Sequence, residues 1–258
     1  MDDLKAWLEQ YKLDPNCFER ADDDDFESTD NGVVSIYAVR NTRNNRIFIR
    51  KDFDIAEEDE NGNENESESE NDSDSNSSED YCDQPIFQPT DSDRNHTNSI
   101  KYFEREVKHL IEVQIKGYPF LRFIGFNYRT EDSSPFIITK KFKGKTLDHL
   151  IKHNFETCEN PNTTKMIIFY GVAFALNILH SMDIIHRDIK PENIFLNEKN
   201  EPFLGDFGFA RLIQESPKLT ENVGTTFYMA QELFDDNNTA EPSEKIDSYS
   251  FAVTILEA

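Results

Sequence analysis

The run His186-Arg187-Asp188-Ile189-Lys190-Pro191-Glu192-Asn193 packs an imidazole, two cations, two carboxylates and an amide into eight residues, and Asp206-Phe207-Gly208 adds another carboxylate. Asp188 and Asn193 are five residues apart and Asp188 and Asp206 are 18 apart, room for two short strands and a tight turn. Side chains of these types position a charged reacting group and neutralise its charge rather than attack it covalently. A charged surface loop followed by an unrelated glycine-terminated turn would contain similar residues. Agreement of order, residue type and both spacings in one stretch weighs against that reading.

The stretch resembles the catalytic loop and the metal-binding loop of the eukaryotic protein kinases. The resemblance implies that Asp188 orients the substrate hydroxyl and accepts its proton, as a carboxylate held near the γ-phosphate of ATP. It implies that Asn193 and Asp206 hold Mg²⁺, a hard cation that takes oxygen ligands and keeps waters besides. Lys190 is similar to the lysine that serine/threonine kinases place near the γ-phosphate, a position where tyrosine kinases usually differ. Lys51 has the register of the family's ATP-anchoring lysine, because Ile49, Lys51 and Phe53 alternate onto one strand face while Arg50 points the other way. An exposed lysine on a strand edge would read the same. Its expected partner is Glu106 in Phe103-Glu104-Arg105-Glu106-Val107, with Glu104 the competitor, since the family places its glutamate just before the apolar residue. Ile36 falls at the apolar position after the glycine-rich loop and so belongs with the ATP-binding residues. That alignment puts Thr29, Asn31 and Val34 where three glycines belong, with only Gly32 nearby. Glycines let a backbone approach phosphates closely, so a weaker grip on nucleotide is expected there.

Residues 224–232 resemble the end of an activation segment. Thr225 matches the threonine that ties the substrate-docking loop to the catalytic loop, and Gln231 replaces the usual proline. Arg187, beside Asp188, implies a basic pocket for a phosphate on that segment, because guanidinium binds phosphate bidentately. Thr220 is the first choice for the phosphorylated residue and Ser216 the second, with an upstream kinase as the implied partner; ordinary polar loop residues would read equally well. Residues 247–252 resemble the start of the family's helix F, whose aspartate, here Asp247, supports the catalytic-loop backbone. The sequence stops at Ala258 within that helix, so the expectation is a C-lobe lacking its last helices and showing apolar surface.

The elements that must carry these residues follow from patterning. Residues 33–39 and 46–53 read as strands joined by a turn at 41–45. A helix at 99–115 has Phe103, Val107, Leu110 and Ile111 on one face. Strands at 120–127 and 136–142 follow, then a helix from Leu147, a break at 161–163 and a helix at 163–181 with Ile168, Val172, Ala175 and Leu179 as its stripe. Leu4, Trp7, Leu8 and Tyr11 lie at helical spacing before a stop at Asp14-Pro15.

The chain of 258 residues has a net charge of −24. Residues 54–80 hold 13 Asp or Glu and no Lys or Arg, leaving −11 for the remainder. An acidic remainder argues against nucleic acid or an anionic membrane as partner. Residues 54–98 have little to bury and are expected to be disordered. Cys17, Cys82 and Cys158 are sparse and odd in number, which fits reduced thiols in the cytoplasm or nucleus. The apolar run at 166–179 is short for a membrane span and contains Asn177, so a buried helix is expected. Together these readings give an α+β, bilobal kinase-like fold: an N-terminal extension (1–25), a small β-rich lobe (26–142) with the acidic insertion 54–98, and a partial, mainly helical lobe (143–258). The expected function is ATP- and Mg²⁺-dependent phosphorylation of Ser/Thr on protein substrates. The alternative is a pseudokinase-like binding or scaffold protein; a small-molecule kinase is disfavoured by residues 224–232.

Overall fold

The computed structural model describes residues 9–21, 29–30, 34–53, 92–114, 118–128, 134–142, 144–213, 225–234 and 241–258. Leu4, Trp7, Leu8, Asn31, Gly32, most of the acidic insertion, Cys82, Ser216, Thr220 and Gly224 lie outside the described residues.

An antiparallel sheet forms the small lobe. Its strands are β1 (Phe18–Arg20), β2 (Thr29–Asp30), β3 (Val34–Asn41), β4 (Ile47–Phe53), β5 (Phe123–Asn127) and β6 (Phe136–Lys140). They lie in the order β1–β3–β4–β6–β5, with β2 also paired to β3. The β3–β4 hairpin turns at Asn41, whose side chain accepts from the Arg43 and Asn44 amides at 3.0 and 3.1 Å. Asn45 closes the turn at φ 59°, a left-handed conformation that Asn tolerates.

Helix α1 (Ser92–Gln114) buries Phe103, Val107, Leu110 and Ile111 against this sheet. It starts at Ser92, inside the stretch expected to be disordered. Once its buried face has nucleated a helix, each added polar residue gains a backbone bond for little further ordering. In the N-terminal extension Glu9 is helical, the chain turns at Gln10 and Tyr11, and Lys12 bridges to Phe126, so most of the expected helix lies outside the described residues.

The large lobe holds α2 (Leu147–Lys152), α3 (Pro161–His180), strands β7 (Ile184–Ile185), β8 (Ile194–Leu196), β9 (Pro202–Leu204) and β10 (Arg211–Leu212), and α4 (Glu244–Glu257). Pro161, read as part of a break, instead opens α3. Asn160 caps it by accepting from the Thr163 amide at 3.1 Å, and proline at the first helical position loses no hydrogen bond. By length and composition α3 would suit a bilayer, at mean hydropathy 1.3; its Ile168, Val172, Ala175 and Leu179 stripe is buried in the core. β5 begins three residues later than the patterning places it, because Phe120 turns to bridge Leu204 of β9.

The sheet has two apolar faces. Phe53, Phe123, Phe126 and Ile137 share the main core with α1, whereas Val39, Phe136 and Ile138 form a second cluster on the outer face. Beside that cluster the Tyr37 hydroxyl donates to Asp52, which also accepts from Arg50 Nε at 2.7 Å. Burial and this hydrogen bond to a carboxylate push the Tyr37 phenol up to about 12. A folded-state value above the unfolded one stabilises the fold below the unfolded value and is lost as pH rises through the folded one. Two units would be worth about 2.7 kcal/mol, which solvent screening at a half-buried site reduces to about 1 kcal/mol. Tyr37→Phe should therefore cost about 1 kcal/mol below pH ~10, with the gap closing toward pH ~12 in parallel urea melts. A gap independent of pH would show that the hydroxyl contributes through packing alone.

Candidate active site

Three elements meet at Lys51. Its Nζ lies 2.9 Å from Glu106 Oε2 on α1 and 2.9 Å from Asp206 Oδ1 in the loop after β9. Burial works against the ammonium, but the two carboxylates outweigh it and hold Lys51 above the ordinary lysine range. Burial lifts Glu106 above the usual glutamate range, with Lys51 pulling it back. Burial would also raise Asp206, yet Lys51 overrides it and keeps that carboxyl below the usual range. The Glu106 side chain is 5 % exposed and that of Asp206 is 34 %, so the open side of the triad is the Asp206 side. Arg50 turns to the outer face, 3.9 Å above the Phe136 ring. Ile36 sits opposite Lys51 in the β3–β4 register.

A second cluster centres on Asp188. Its Oδ2 accepts from Asn193 Nδ2 at 2.7 Å and lies 3.1 Å from Lys190 Nζ. Its Oδ1 accepts from the Thr225 amide and hydroxyl, both at 3.2 Å, and Lys190 Nζ donates to Thr225 Oγ1 at 2.6 Å. Asp188, Lys190, Asn193 and Thr225 are thus one connected group, and Thr225 is bound directly to the 186–193 loop. Asn193 also donates to the Asp188 carbonyl at 2.8 Å. With its amide nitrogen so engaged, the Asn193 carbonyl oxygen is the atom left to accept.

The backbone beneath is held in an uncommon shape. Arg187 has φ 69° and Asp206 φ 58°, conformations that cost roughly 1–3 kcal/mol each in residues other than glycine. Fully buried Asp247 on α4 accepts from the His186 and Arg187 amides, each at 2.8 Å, and from His180 Nε2 at 2.9 Å. The His186 ring spans the gap to the next loop. Its Nε2 carries the proton and donates to the Gly205 carbonyl at 3.0 Å. Burial pushes its pKa down, despite Asp247, Asp188 and Asp206 nearby, which favours the neutral ring. Phe207 packs 5.0 Å from that ring.

Residues 88–258 match the family profile of the protein kinase domain. The chain belongs to the protein kinase family. Similar proteins include a probable serine/threonine-protein kinase, kinY, of Dictyostelium discoideum, 32 % identical over 175 residues, 61 % of this chain and 29 % of that protein. Serine/threonine-protein kinase 32C of Mus musculus is 31 % identical over 155 residues, 59 % of this chain and 30 % of its own length. Cyclin-dependent kinase-like 1 of Caenorhabditis elegans is 41 % identical over 88 residues, 33 % of this chain and 25 % of that protein. The chain spans less than a third of the length of these curated relatives.

Among the residues singled out in the sequence, the kinase fold brings Lys51, Glu106 and Asp206 together, and separately Asp188, Lys190, Asn193 and Thr225. Arg187 is buried at 3 % exposure beside them. Sequence reasoning missed His180 and the ring of His186. The 67 residues between His180 and Asp247 leave no local signal for that contact. Gln231, at the family's proline position, opens a short 3-10 turn ending at Phe234.

Asp247→Ala should leave two buried amides without an acceptor, each costing about 1–3 kcal/mol. The expected loss is about 2–5 kcal/mol in urea unfolding, against a smaller loss for Asp247→Asn, which keeps one acceptor oxygen. An alanine variant within about 0.5 kcal/mol of the parent would mean the loop keeps its shape without Asp247.

Proposed function

We propose that this chain transfers the γ-phosphoryl group of ATP to serine or threonine hydroxyls of protein substrates. The observation that carries the reading is the pair of assembled groups, Lys51–Glu106–Asp206 on one side and Asp188–Lys190–Asn193–Thr225 on the other. In this reading Asp188 orients the attacking hydroxyl and takes its proton as the oxygen–phosphorus bond forms and the bond to ADP breaks. Lys190, tethered between Asp188 and Thr225, meets the charge of the transferring group. The Lys190–Thr225 contact supports Ser/Thr over Tyr as the accepting residue.

The donor set fits Mg²⁺. Asp206 offers a carboxylate at the open edge of the triad, and Asn193 offers an amide oxygen whose nitrogen is already engaged. Among the described residues no group of three or more His, Cys, Asp or Glu forms a metal cage. Two protein oxygens completed by phosphates and water suit Mg²⁺, which resists full dehydration. When bound, the cation supplies charge neutralisation on the phosphates.

Buried Arg187, next to Asp188, supports a regulatory arm in which a phosphate placed by an upstream kinase at Thr220, or else Ser216, meets a basic pocket. Cys17 and Cys158 are free thiols, which supports a reducing, cytoplasmic setting. The scaffold reading keeps one specific support: Thr29 and Val34 occupy paired strand positions where the family carries glycine.

Substitution at neighbouring strand positions separates the two readings. Lys51→Met should lower phosphoryl transfer to Ser/Thr peptides about 100-fold or more, the scale of losing one preorganised charge partner. Arg50→Met, on the opposite face, should retain most of the activity at some cost in stability. Calorimetric titration of the parent should show ATP binding that requires Mg²⁺. Binding indifferent to Mg²⁺, or parent and Lys51→Met equally inert, would favour the scaffold.

A further inference from the structure

Residues 11–20 run around the small lobe. Leu13 N–H donates to the Phe126 carbonyl at 2.8 Å, and Phe126 N–H donates to the Tyr11 carbonyl at 3.0 Å, so the segment adds a parallel bridge to the free edge of β5. Tyr11 packs against the main core, which it shares with α1, and Leu13 joins the outer-face cluster. Asp14 caps a 3-10 turn over Pro15–Cys17, and the chain continues as β1 on the opposite edge of the sheet. In a flat sheet five strand spacings would put these edges about 24 Å apart. The five residue steps from Leu13 to Phe18 reach at most about 18 Å even when extended. The segment can close only over a curled sheet, and it holds that curl.

An unbroken line of aromatic rings leads from this segment to the ion pair. Tyr11 meets Phe123 at 5.6 Å, Phe123 meets Phe126 at 6.3 Å, Phe126 meets Phe103 at 6.1 Å, and Phe103 meets Phe53 at 5.3 Å. Phe103 lies one turn before Glu106 on α1. Phe53 lies two residues after Lys51, and Lys51 Nζ is 5.4 Å from its ring. The Lys51 ammonium therefore lies beside one ring of this line, and Glu106 lies one helical turn from the ring next to it.

We propose that residues 11–20 are a built-in strap that positions the Lys51–Glu106 pair, so that its seating or release sets how completely the nucleotide side of the site is assembled. The consequence for catalysis rests on the phosphotransfer reading above; the mechanical coupling does not. Gly125 is where the strap can be dislodged. A Cβ there would lie 2.4 Å from the Tyr11 carbonyl oxygen and 2.6 Å from Leu13 Cγ. All three of its nearest atoms belong to the strap, so an added methyl group meets the strap before anything else.

The test compares the full chain with Gly125→Ala, with Leu13→Ser as a second route that leaves β5 intact, and with solvent-facing Lys12→Ala as control. Amide hydrogen exchange is read at Leu13 and Phe126 for the strap and at Leu110 and Ile111 for α1; KM for ATP and kcat are measured alongside. Strap amides should exchange at least about 10-fold faster in Gly125→Ala and Leu13→Ser, as expected for local release. The α1 amides should speed up and KM for ATP should rise by about 2- to 30-fold, with kcat changing less and Lys12→Ala matching the parent. Released strap amides with unchanged α1 exchange would overturn the proposal and leave the strap a mere cover. Unchanged strap exchange in both variants would equally overturn it, by removing the docking on which it stands. A parent chain without phosphotransfer would refute the functional reading alone, since the exchange data still decide the coupling.

Discussion

A single ammonium group determines where three parts of this molecule can be. Lys51 projects from the middle of a sheet into a site where the charge has lost most of its water, a penalty of several kcal/mol if left uncompensated. Two carboxylates at 2.9 Å offset it, one from α1 and one from the loop that follows β9. Buried Glu106 could not move away without leaving its own charge unpaired, the costlier error in such arrangements. The sheet, α1 and the large-lobe loop are therefore fixed relative to one another by electrostatics, and apolar packing at Phe103 and Phe207 fills in around that constraint.

Asp247 does the corresponding work below. Arg187 and Asp206 hold left-handed backbone conformations that local sequence would not choose. Strain of that kind persists only where the surroundings over-determine it. Here the surroundings are two amides donated to one buried carboxylate, and an imidazole that joins the strained turn to Gly205 in the loop before Asp206. Burial keeps that imidazole neutral, so it can span the two loops without adding charge beside Asp188 and Asp206. Asp188 and Asp206 thus sit on a backbone shaped from α4, distant in sequence and adjacent in space.

The two clusters were readable to different degrees. Lys51 and Glu106 could be named because strand alternation and helix periodicity each leave a local trace, and because the motif around Asp188 fixed the family order. The cluster around Asp188 was legible almost residue by residue, since order, residue types and spacings agree within one stretch. The His180–Asp247 contact was not, because one partly buried histidine at the end of an apolar helix looks like any other. The start of α1 and the role of Pro161 were misplaced for a shared reason: composition speaks to what a residue can bury, and helix ends are set by capping and propagation. By Tyr11 the chain has turned toward a free sheet edge, a pairing on which apolar spacing carries no information.

That edge points to a requirement of the small lobe as a whole. Its sheet alternates apolar residues to both faces, with Ile137 inward and Phe136 and Ile138 outward, all at 1 % exposure or less. One helix can cover one face only. Leaving the outer three in water would forfeit roughly 1.5–3 kcal/mol for each side chain, a large share of a domain's net stability of roughly 5–15 kcal/mol. Something must lie across Val39, Phe136 and Ile138, and Leu13 and Phe18 do so together with Tyr37, Phe48 and Ile124. The same few residues that satisfy the outer face also place Tyr11 against the inner one. A segment that covers a hydrophobic surface is in this way joined, ring by ring, to the neighbours of the ion pair.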